Sequence, residues 1–325
     1  MLTSDQHQKI FDSLQIKIKT LHDSIWERRA DWPLVERWLG QFAEDADVNA
    51  DEQIQALFLL SNFMYFGTSE VRALLRSLFR DSFRPRLAQH VRGLLSGASD
   101  PAILSPAIDA ELAKTRFVAL GNPAESSAML LYYFRQENRL HKDLFINASE
   151  VFQLSASGTS VQADLKDPDI DHYVFIDDLC GSGDQGLEYS AATVEPIKAM
   201  KPEAKTYYYS LFGLSEGLAR IRDEGKFDVV GSIVELDRSF KAFAPTSRIF
   251  AKAEPPFERT FTEKICSAHG AVLCPEDPLG YQDGQLLIGF SHNTPDNTLP
   301  IFWSDGETGA PWIPVFKRYP KVYWP

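Results

Sequence analysis

Two adjacent carboxylates follow a short apolar run in the stretch HYVFIDDLCGSGDQ, which begins at His172. The run HYVFI predicts a buried strand, Asp177 and Asp178 come directly after it, and a turn of small residues then leads into a predicted helix. The residues of this turn are Gly181, Ser182, Gly183, Asp184 and Gln185. Ligands of parallel sheets bind beyond the carboxyl ends of the strands, so these residues form a candidate binding site.

The residue types indicate which ligand such a site would take. Backbone amides of a small-residue turn that opens a helix bind phosphate groups, helped by the helix dipole. Asp177 and Asp178 would repel that phosphate, but carboxylates suit sugar hydroxyls or a divalent cation. A ribose 5-phosphate that carries a magnesium-bound pyrophosphate has all of these parts.

Two other interpretations remain open for the same residues. The spacing Gly181, Gly183, Gly186 matches the dinucleotide-binding pattern G-x-G-x-x-G, which also requires an acidic residue at the end of the next strand. The next predicted strand, TYYYSLFG, has no acidic residue, since Glu203 precedes it and Glu216 follows it. The other interpretation is structural, with the aspartates ending a strand and the small residues shaping a turn.

The stretch VFIDDLCGSGDQ also resembles the signature of the type I phosphoribosyltransferases. The resemblance implies that Asp177 and Asp178 hold the ribose hydroxyls of phosphoribosyl pyrophosphate and act as the catalytic and Mg²⁺-binding carboxylates. It further implies that the turn from Gly181 to Gln185 holds the 5-phosphate. The family usually places threonines with two glycines in this turn, whereas this sequence has Asp184 and Gln185.

A second loop resembles the pyrophosphate-binding loop of the same family. The predicted strand TRFVAL is followed by the residues GNPAESS and then by a predicted helix, which is the order expected of an anion site. The resemblance implies binding roles for Gly121, Asn122 and Ser126. An ordinary Asn-Pro turn explains this loop equally well, since Glu125 stands where a basic residue would help.

A hood outside the main sheet recognises the base in phosphoribosyltransferases. Tyr281 and Asn293, which flank the last predicted strand, could fill that role by stacking and by amide hydrogen bonds. Turns shaped by Gly, Asn and Pro are the alternative explanation of GYQDG and HNTPDNT.

The layout is most similar to phosphoribosyltransferase-like proteins of bacterial conflict systems, including retron-linked anti-phage modules. The residues that carry this resemblance are VFIDDLCGSGDQ, LGYQDGQLLIGFSHNTPDNTLPIFW and WIPVF, and it covers the chain from Thr115 to the C-terminus. It implies an antiviral defence role with a nucleotide or nucleic-acid partner.

The elements that must position the site follow from the spacing of apolar residues. About 95 residues at the start read as successive helices, the fourth running from near Thr68 towards Arg84. The Ser-, Gly- and Pro-rich segment from Ser96 to Pro106 is the predicted boundary. After it, short strands alternate with helices, which predicts a mainly parallel sheet. We therefore predict an all-helical domain over 1–100, followed by a phosphoribosyltransferase-type α/β domain with a C-terminal hood over 101–325.

A basic stripe recurs every four residues on the fourth helix. Its members are Arg72, Arg76, Arg80 and Arg84. The stripe predicts contact with a nucleic-acid backbone or an acidic partner protein. A solvated helix face with local ion pairs is the alternative.

Composition limits the classes of function. The net charge of −12 over 325 residues argues against non-specific nucleic-acid binding as the main role. Three unpaired cysteines suit a reducing compartment. The sequence has neither an apolar run of 18 residues nor a signal-peptide pattern at its start, which predicts a cytoplasmic protein without a membrane span.

The leading hypothesis is an enzyme that makes or breaks a bond at the anomeric carbon of a phosphoribosyl compound or nucleotide. It would be a pentosyltransferase or a nucleotide-cleaving glycosidase with Mg²⁺ as its cofactor. The alternative is a non-catalytic sensor of nucleotide or phosphoribosyl pyrophosphate, or a scaffold that binds a partner. A third possibility is an effector that a partner keeps silent.

Overall fold

The computed structural model describes residues 4–42, 46–120, 126–157, 160–306 and 311–319. The chain forms two compact units: one joins Met1–Glu70 to Asp237–Pro325, and the other is Val71–Leu236. These units differ from the predicted ranges 1–100 and 101–325. The reason is that the first helices share one apolar core with residues near the C-terminus.

The helices of the described residues are numbered in chain order. They are α1 Ser4–Ser24, α2 Trp32–Leu39, α3 Ala46–Leu60, α4 Thr68–Ser77, α5 Arg84–Leu94, α6 Pro101–Ala113, α7 Ser126–Asn138, α8 Asp184–Tyr189, α9 Glu195–Met200, α10 Ser215–Glu224, α11 Arg259–Leu273 and α12 Pro300–Trp303. Among these described helices, none combines the length and the apolar character needed to cross a bilayer.

The strands are β1 Met64–Phe66, β2 Thr115–Ala119, β3 Phe145–Ile146, β4 Phe152–Ser157, β5 Ser160–Leu165, β6 His172–Cys180, β7 Lys205–Leu214, β8 Val229–Leu236 and β9 Ile288–Phe290. Five of them form one sheet in the order β3-β2-β6-β7-β8, and every pair in it is parallel. This sheet confirms the predicted α/β class with a mainly parallel sheet. β4 and β5 form a separate antiparallel hairpin, and β1 pairs with β9.

The three central strands of the sheet, β2, β6 and β7, are largely buried on both faces, as expected when helices cover a parallel sheet on its two sides. On one face, Phe117 and Tyr207 contact the ring of Phe83 edge-on, at centroid distances of 5.4 and 5.5 Å. On the other face, Tyr208 belongs to an apolar cluster with Leu218 and Ile221 of α10. Side chains of successive strand residues alternate between the faces, which explains the nearly continuous apolar runs of β6 and β7.

Two helices contain a wide π-helical turn just before a proline. Leu78–Phe83 connects α4 to α5, and Ser190–Val194 connects α8 to α9. Pro85 and Pro196 then occupy the first turns of α5 and α9. A proline lacks the amide that an α-helix interior requires, and the π turn lets the helix continue past it. The helical backbone that begins at Thr68 therefore continues through the π turn into α5, beyond the predicted end near Arg84.

The unit that contains the chain termini has an aromatic core. The indole N–H groups of Trp38 and Trp312 both donate to the carbonyl of Ile301, at 2.8 and 2.9 Å. Phe302 stacks on Trp38, with ring centroids 5.5 Å apart. Part of the aromatic C-terminal segment is thus core of this unit, together with the helices α1 to α3.

Candidate functional site

The strand order of the five-stranded sheet reverses between β2 and β6. The chain proceeds from β2 to β3 on one side of this point and from β6 to β7 on the other. In open parallel sheets, ligands bind at such a reversal, beyond the carboxyl ends of the two strands. Ala119 of β2 pairs with Ile176 of β6, so Asp177 lies directly beyond this pair. The candidate site is therefore the edge of the sheet where β2 and β6 end.

The loop after β2 was the predicted pyrophosphate loop. Gly121 and Asn122 lie outside the described residues. Ser126 is the first residue of α7 and is half-buried. The binding roles of these residues stay predictions.

The acidic pair lies inside β6, because this strand continues to Cys180 instead of ending at Ile176. Asp177 pairs with Ser210 of β7, and Cys180 pairs with Gly213. β6 thus extends beyond β2 along β7, which explains why the first carboxylate is buried.

Asp177 is only 6% exposed and its carboxylate accepts two hydrogen bonds. The hydroxyl of Tyr208 donates to Oδ2 at 3.0 Å, and the amide of Asp178 donates to Oδ1 at 2.9 Å. Burial raises the pKa of Asp177 well above its ordinary range, and the negative charge of Asp178 raises that pKa further. The buried carboxyl group is therefore poised to hold a proton until a cation or a hydroxyl-rich ligand approaches.

Asp178 is the more accessible member of the acidic pair, since its side chain is half-buried. Its Oδ1 accepts the amide of Leu179 at 2.8 Å, which fixes the carboxylate against the backbone. A carboxylate held in this way loses little conformational entropy when it accepts hydroxyl groups or binds a cation.

The turn after β6 contains a closed network of hydrogen bonds. The hydroxyl of Ser182 donates to Oδ2 of Asp184 at 2.7 Å, and the amide of Asp184 lies 3.3 Å from that hydroxyl oxygen. Arg220 of α10 donates to the carboxylate of Asp184 and to the carbonyl of Ser182. In the described part of the chain, the amides of Ser182 and Gly183 donate to no acceptor. These two amides are therefore donors without an acceptor among the described residues, whereas an anion would have to share the guanidinium group of Arg220 with Asp184.

Glycines allow α10 to pack closely against this turn. A Cβ atom at Gly217 would lie 2.0 Å from the carbonyl oxygen of Gly181, and one at Gly186 would lie 2.7 Å from the side chain of Ile221. The close packing brings Arg220 to Asp184. Sequence patterns did not reveal Arg220, because the residue lies in a different helix, 36 positions further along the chain.

The sequence matches the PRTase-CE family model over residues 35–318. The chain belongs to the PRTase-CE family. It is a type I phosphoribosyltransferase-like protein. No curated protein matches the sequence significantly.

Solved structures of phosphoribosyltransferases resemble this PRTase-CE chain at low identity. The xanthine-guanine-hypoxanthine phosphoribosyltransferase of Helicobacter pylori is 15% identical, with 37% of this chain and 70% of that chain covered and a TM-score of 0.23. The orotate phosphoribosyltransferase of Aeropyrum pernix is 10% identical, with 40% and 72% covered and a TM-score of 0.23. A point mutant of the Trypanosoma cruzi hypoxanthine phosphoribosyltransferase, complexed with its product IMP, is 13% identical, with 55% and 78% covered and a TM-score of 0.26.

The dinucleotide-binding interpretation of the PRTase-CE turn lacks its acidic residue in the structure as well. β7 ends with Gly213 and Leu214, and Glu216 lies inside α10. Close packing explains why position 186 is a glycine, since a Cβ atom there would collide with the side chain of Ile221.

The predicted base-recognition residues lie in the other unit. Tyr281 is 38% exposed, and its carbonyl accepts the side-chain amide of Asn297 at 3.2 Å. The Oδ1 atom of Asn293 accepts the amides of Thr294 and Tyr319, each at 3.0 Å. Asn293 therefore shapes a turn, and base recognition by Tyr281 and Asn293 stays a prediction.

Three members of the predicted basic stripe form ion pairs within the protein. Arg72 and Arg76 both pair with Glu137 of α7, and Arg80 pairs with Asp81. Arg72 also lies over the ring of Tyr133, 4.7 Å from its centroid. Only the Arg80 pair matches the alternative of a helix face with local ion pairs, because Glu137 lies in a different helix from Arg72 and Arg76. A partner at this stripe stays a prediction.

Asp177→Asn is expected to change the pH dependence of stability. Because the folded-state pKa of Asp177 is raised above its unfolded value of about 4, the folded state binds more protons than the unfolded state between the two pKa values. The free energy of unfolding of the parent should therefore fall as the pH rises through this window. Asparagine cannot ionise, so at pH 8 we expect the variant to be about 1–3 kcal/mol more stable than the parent.

Urea denaturation at pH 5 and pH 8 measures this difference. Asp100→Asn is the matched control, because Asp100 also accepts a backbone amide through Oδ1, from Ala102 at 2.9 Å, and asparagine can keep that bond. The free energy of unfolding could instead change by the same amount between pH 5 and pH 8 in the parent and in Asp177→Asn. That result would show that Asp177 is ionised in the folded protein at both pH values.

Proposed function

We propose that this protein binds a 5-phosphoribosyl compound at the carboxyl ends of β2 and β6 and makes or breaks a bond at its anomeric carbon. The observation that carries the proposal is the placement of the acidic pair and the small-residue turn at the reversal of the strand order. Membership of the PRTase-CE family supports the same class of ligand.

The two aspartates take different roles in this proposal, because their environments differ. Asp178, half-buried and fixed by Leu179, accepts hydrogen bonds from the ribose hydroxyls. Asp177 is a positioning residue, since its carboxylate holds the amide of Asp178 and the hydroxyl of Tyr208. From the sequence alone, both aspartates had the same predicted role.

The 5-phosphate would lie at the turn after β6. The amides of Ser182 and Gly183 and the guanidinium group of Arg220 are the donors that this turn offers. An anion at this place must share or replace the bonds that Ser182 and Arg220 now make with Asp184. The turn therefore fits a phosphate, with Asp184 as a competitor for the same donors.

A divalent cation fits the same site. Magnesium prefers oxygen ligands and keeps several waters, and the half-buried carboxylate of Asp178 would supply such a ligand, with the carboxylate of Asp177 beside it. When bound, Mg²⁺ would neutralise the pyrophosphate of the ligand. Ionisation of the buried Asp177 becomes favourable when a cation lies near it.

The chemistry proposed for the site needs no protein nucleophile. The bond between the anomeric carbon and the leaving group breaks, and the leaving pyrophosphate or base keeps the electron pair. A new bond forms from a base nitrogen or from water, whose proton passes to solvent or to the leaving group. The chain's contribution is to fix the sugar through Asp178 and the phosphate through the turn, which lowers the entropic part of the barrier.

A non-catalytic sensor is the second candidate function. The hydroxyl of Ser182 and the guanidinium group of Arg220 already bond to Asp184, so the turn holds an anion of its own. A sensor would bind the phosphoribosyl ligand with saturation and leave it chemically unchanged.

We also propose that the protein acts inside the bacterial cell in anti-phage defence. The support is the resemblance of the acidic stretch and of the C-terminal segment to proteins of bacterial conflict systems. Plating of phage on cells that express the parent or an inactive site variant tests this role.

Calorimetric titration of the full chain with phosphoribosyl pyrophosphate and Mg²⁺ tests the proposed ligand. We expect one saturable site, with weaker binding of ribose 5-phosphate and of pyrophosphate alone, since each lacks part of the recognised group. Incubation with labelled ligand and nucleobases, followed by product analysis, separates an enzyme from a sensor. If neither phosphoribosyl pyrophosphate nor nucleotides bind, the proposed function is wrong.

A further inference from the structure

A second cluster of polar side chains lies at the opposite end of β6 from Asp177. His172 is the first residue of this strand, and five residues of extended chain separate the two positions by about 17 Å. The ring of His172 is completely buried, and Nε2 lies 2.9 Å from Oε1 of Glu111 in α6. His90 of α5 reaches the same carboxylate oxygen with Nε2 at 3.6 Å. Three separate elements thus bring two imidazoles and one carboxylate together.

We propose that His90, Glu111 and His172 bind a divalent transition-metal ion of the zinc type. Their ligand atoms all lie within 4.8 Å of one another. Tetrahedral zinc with bonds of about 2.0–2.1 Å places its ligand atoms about 3.4 Å apart, so shifts of about 1 Å or less would complete the site. Two imidazoles with one carboxylate suit zinc, whereas magnesium prefers oxygen ligands alone.

The surroundings of His172 allow it to act as a ligand. Its Nδ1 lies 3.1 Å from the hydroxyl of Tyr207. A tyrosine hydroxyl can donate or accept, so Tyr207 can accept the Nδ1 proton when Nε2 binds a metal. Such a hydrogen bond to the second ring nitrogen orients a metal-binding histidine.

The positions of His90 and Glu111 leave room for a fourth ligand on the metal ion. The side chain of His90 is 33% exposed, so water can reach the metal from its side. The second oxygen of Glu111 lies 3.4 Å from the ammonium group of Lys114, which leaves Oε1 to face the two imidazoles. Three protein ligands with an accessible fourth position are typical of zinc sites that bind water or another small ligand.

The metal would join α5, α6 and β6, and this role is independent of the proposed function at Asp178. Dialysed full-length protein is expected to bind one zinc ion per chain and to unfold at a higher temperature with zinc than without it. Cobalt should give the visible bands of a tetrahedral nitrogen and oxygen site, without the thiolate charge-transfer band that a cysteine ligand would add.

His90→Ala is the variant that tests the site, because His90 is the most exposed of the three ligands and its loss leaves the core intact. We expect at least tenfold weaker zinc binding and loss of the zinc-dependent thermal shift. His141→Ala is the matched control, since His141 is 71% exposed and lies 3.4 Å from the carboxylate of Asp143, in a similar pair. Its zinc binding should equal that of the parent.

Glu111→Gln is the second test variant, because glutamine can still hydrogen-bond to His172 but is a poor zinc ligand. It should also weaken zinc binding at least tenfold, with a metal-free stability close to that of the parent. Unchanged zinc binding in both variants, or a parent that binds no stoichiometric zinc, would overturn the proposal. Neither result affects the titrations with phosphoribosyl pyrophosphate.

Discussion

Asp178→Asn is expected to weaken the binding of phosphoribosyl pyrophosphate by about ten- to a hundredfold. Hydrogen bonds to a charged group contribute about 1.5–3 kcal/mol, and every 1.4 kcal/mol is about tenfold in affinity. Asparagine keeps an oxygen for the amide of Leu179, so the fold of β6 should not change. The loss is therefore assigned to the missing charge opposite the ribose hydroxyls and the cation. Calorimetric titration with and without Mg²⁺ measures it.

The control for this variant is again Asp100→Asn. Asp100 lies at the start of α6 and accepts one backbone amide, as Asp178 does, but it belongs to a helix cap. The affinity of this control should equal that of the parent. Equal affinities for Asp178→Asn and the parent would place the sugar elsewhere, and the acidic pair would then be a structural feature of β6.

Much of the fold could be predicted because its signals are local. The apolar run of β6 and the helical pattern of α7 depend only on neighbouring residues. Both elements begin where the sequence predicts them, although β6 continues four residues further than predicted, to Cys180. Parallel strands bring their carboxyl ends to one side, which predicts the acidic pair near this side of the sheet, but the two aspartates lie within β6 and not after it. The alternation of predicted strands and helices was sufficient to predict that the sheet is mainly parallel.

The features that escaped prediction depend on contacts between distant positions. The pairing of β1 with β9 joins residues that are more than 200 positions apart, and no local sequence pattern predicts it. Asp177 is buried because β6 extends along β7 as far as Cys180. The residue types alone predict that the strand ends before the aspartates, so they do not reveal this extension. The pairing of Arg220 with Asp184 requires α10 to approach the turn, which Gly217 permits.

Asp184→Ser is expected to strengthen the binding of a 5-phosphoribosyl ligand by at least about tenfold. The carboxylate of Asp184 now accepts the hydroxyl of Ser182 and the guanidinium group of Arg220. A phosphate at the turn would lie near this negative charge, and two unit charges 4 Å apart at an effective dielectric constant of 20 repel by about 4 kcal/mol. Serine removes the charge and adds a donor, as the threonines of typical phosphoribosyltransferases would. Titration with ribose 5-phosphate measures the gain.

Glu188→Ser removes the same charge from an exposed position of the same helix and is the matched control, for which we expect no tenfold gain. Arg220→Ala combined with Asp184→Ser should lose most of the gain, because the guanidinium group would then no longer meet the phosphate. The sign of the change separates two kinds of ligand. If Asp184→Ser weakens binding instead, Asp184 accepts a hydroxyl of the ligand, and the turn recognises an uncharged group where the proposal places a phosphate.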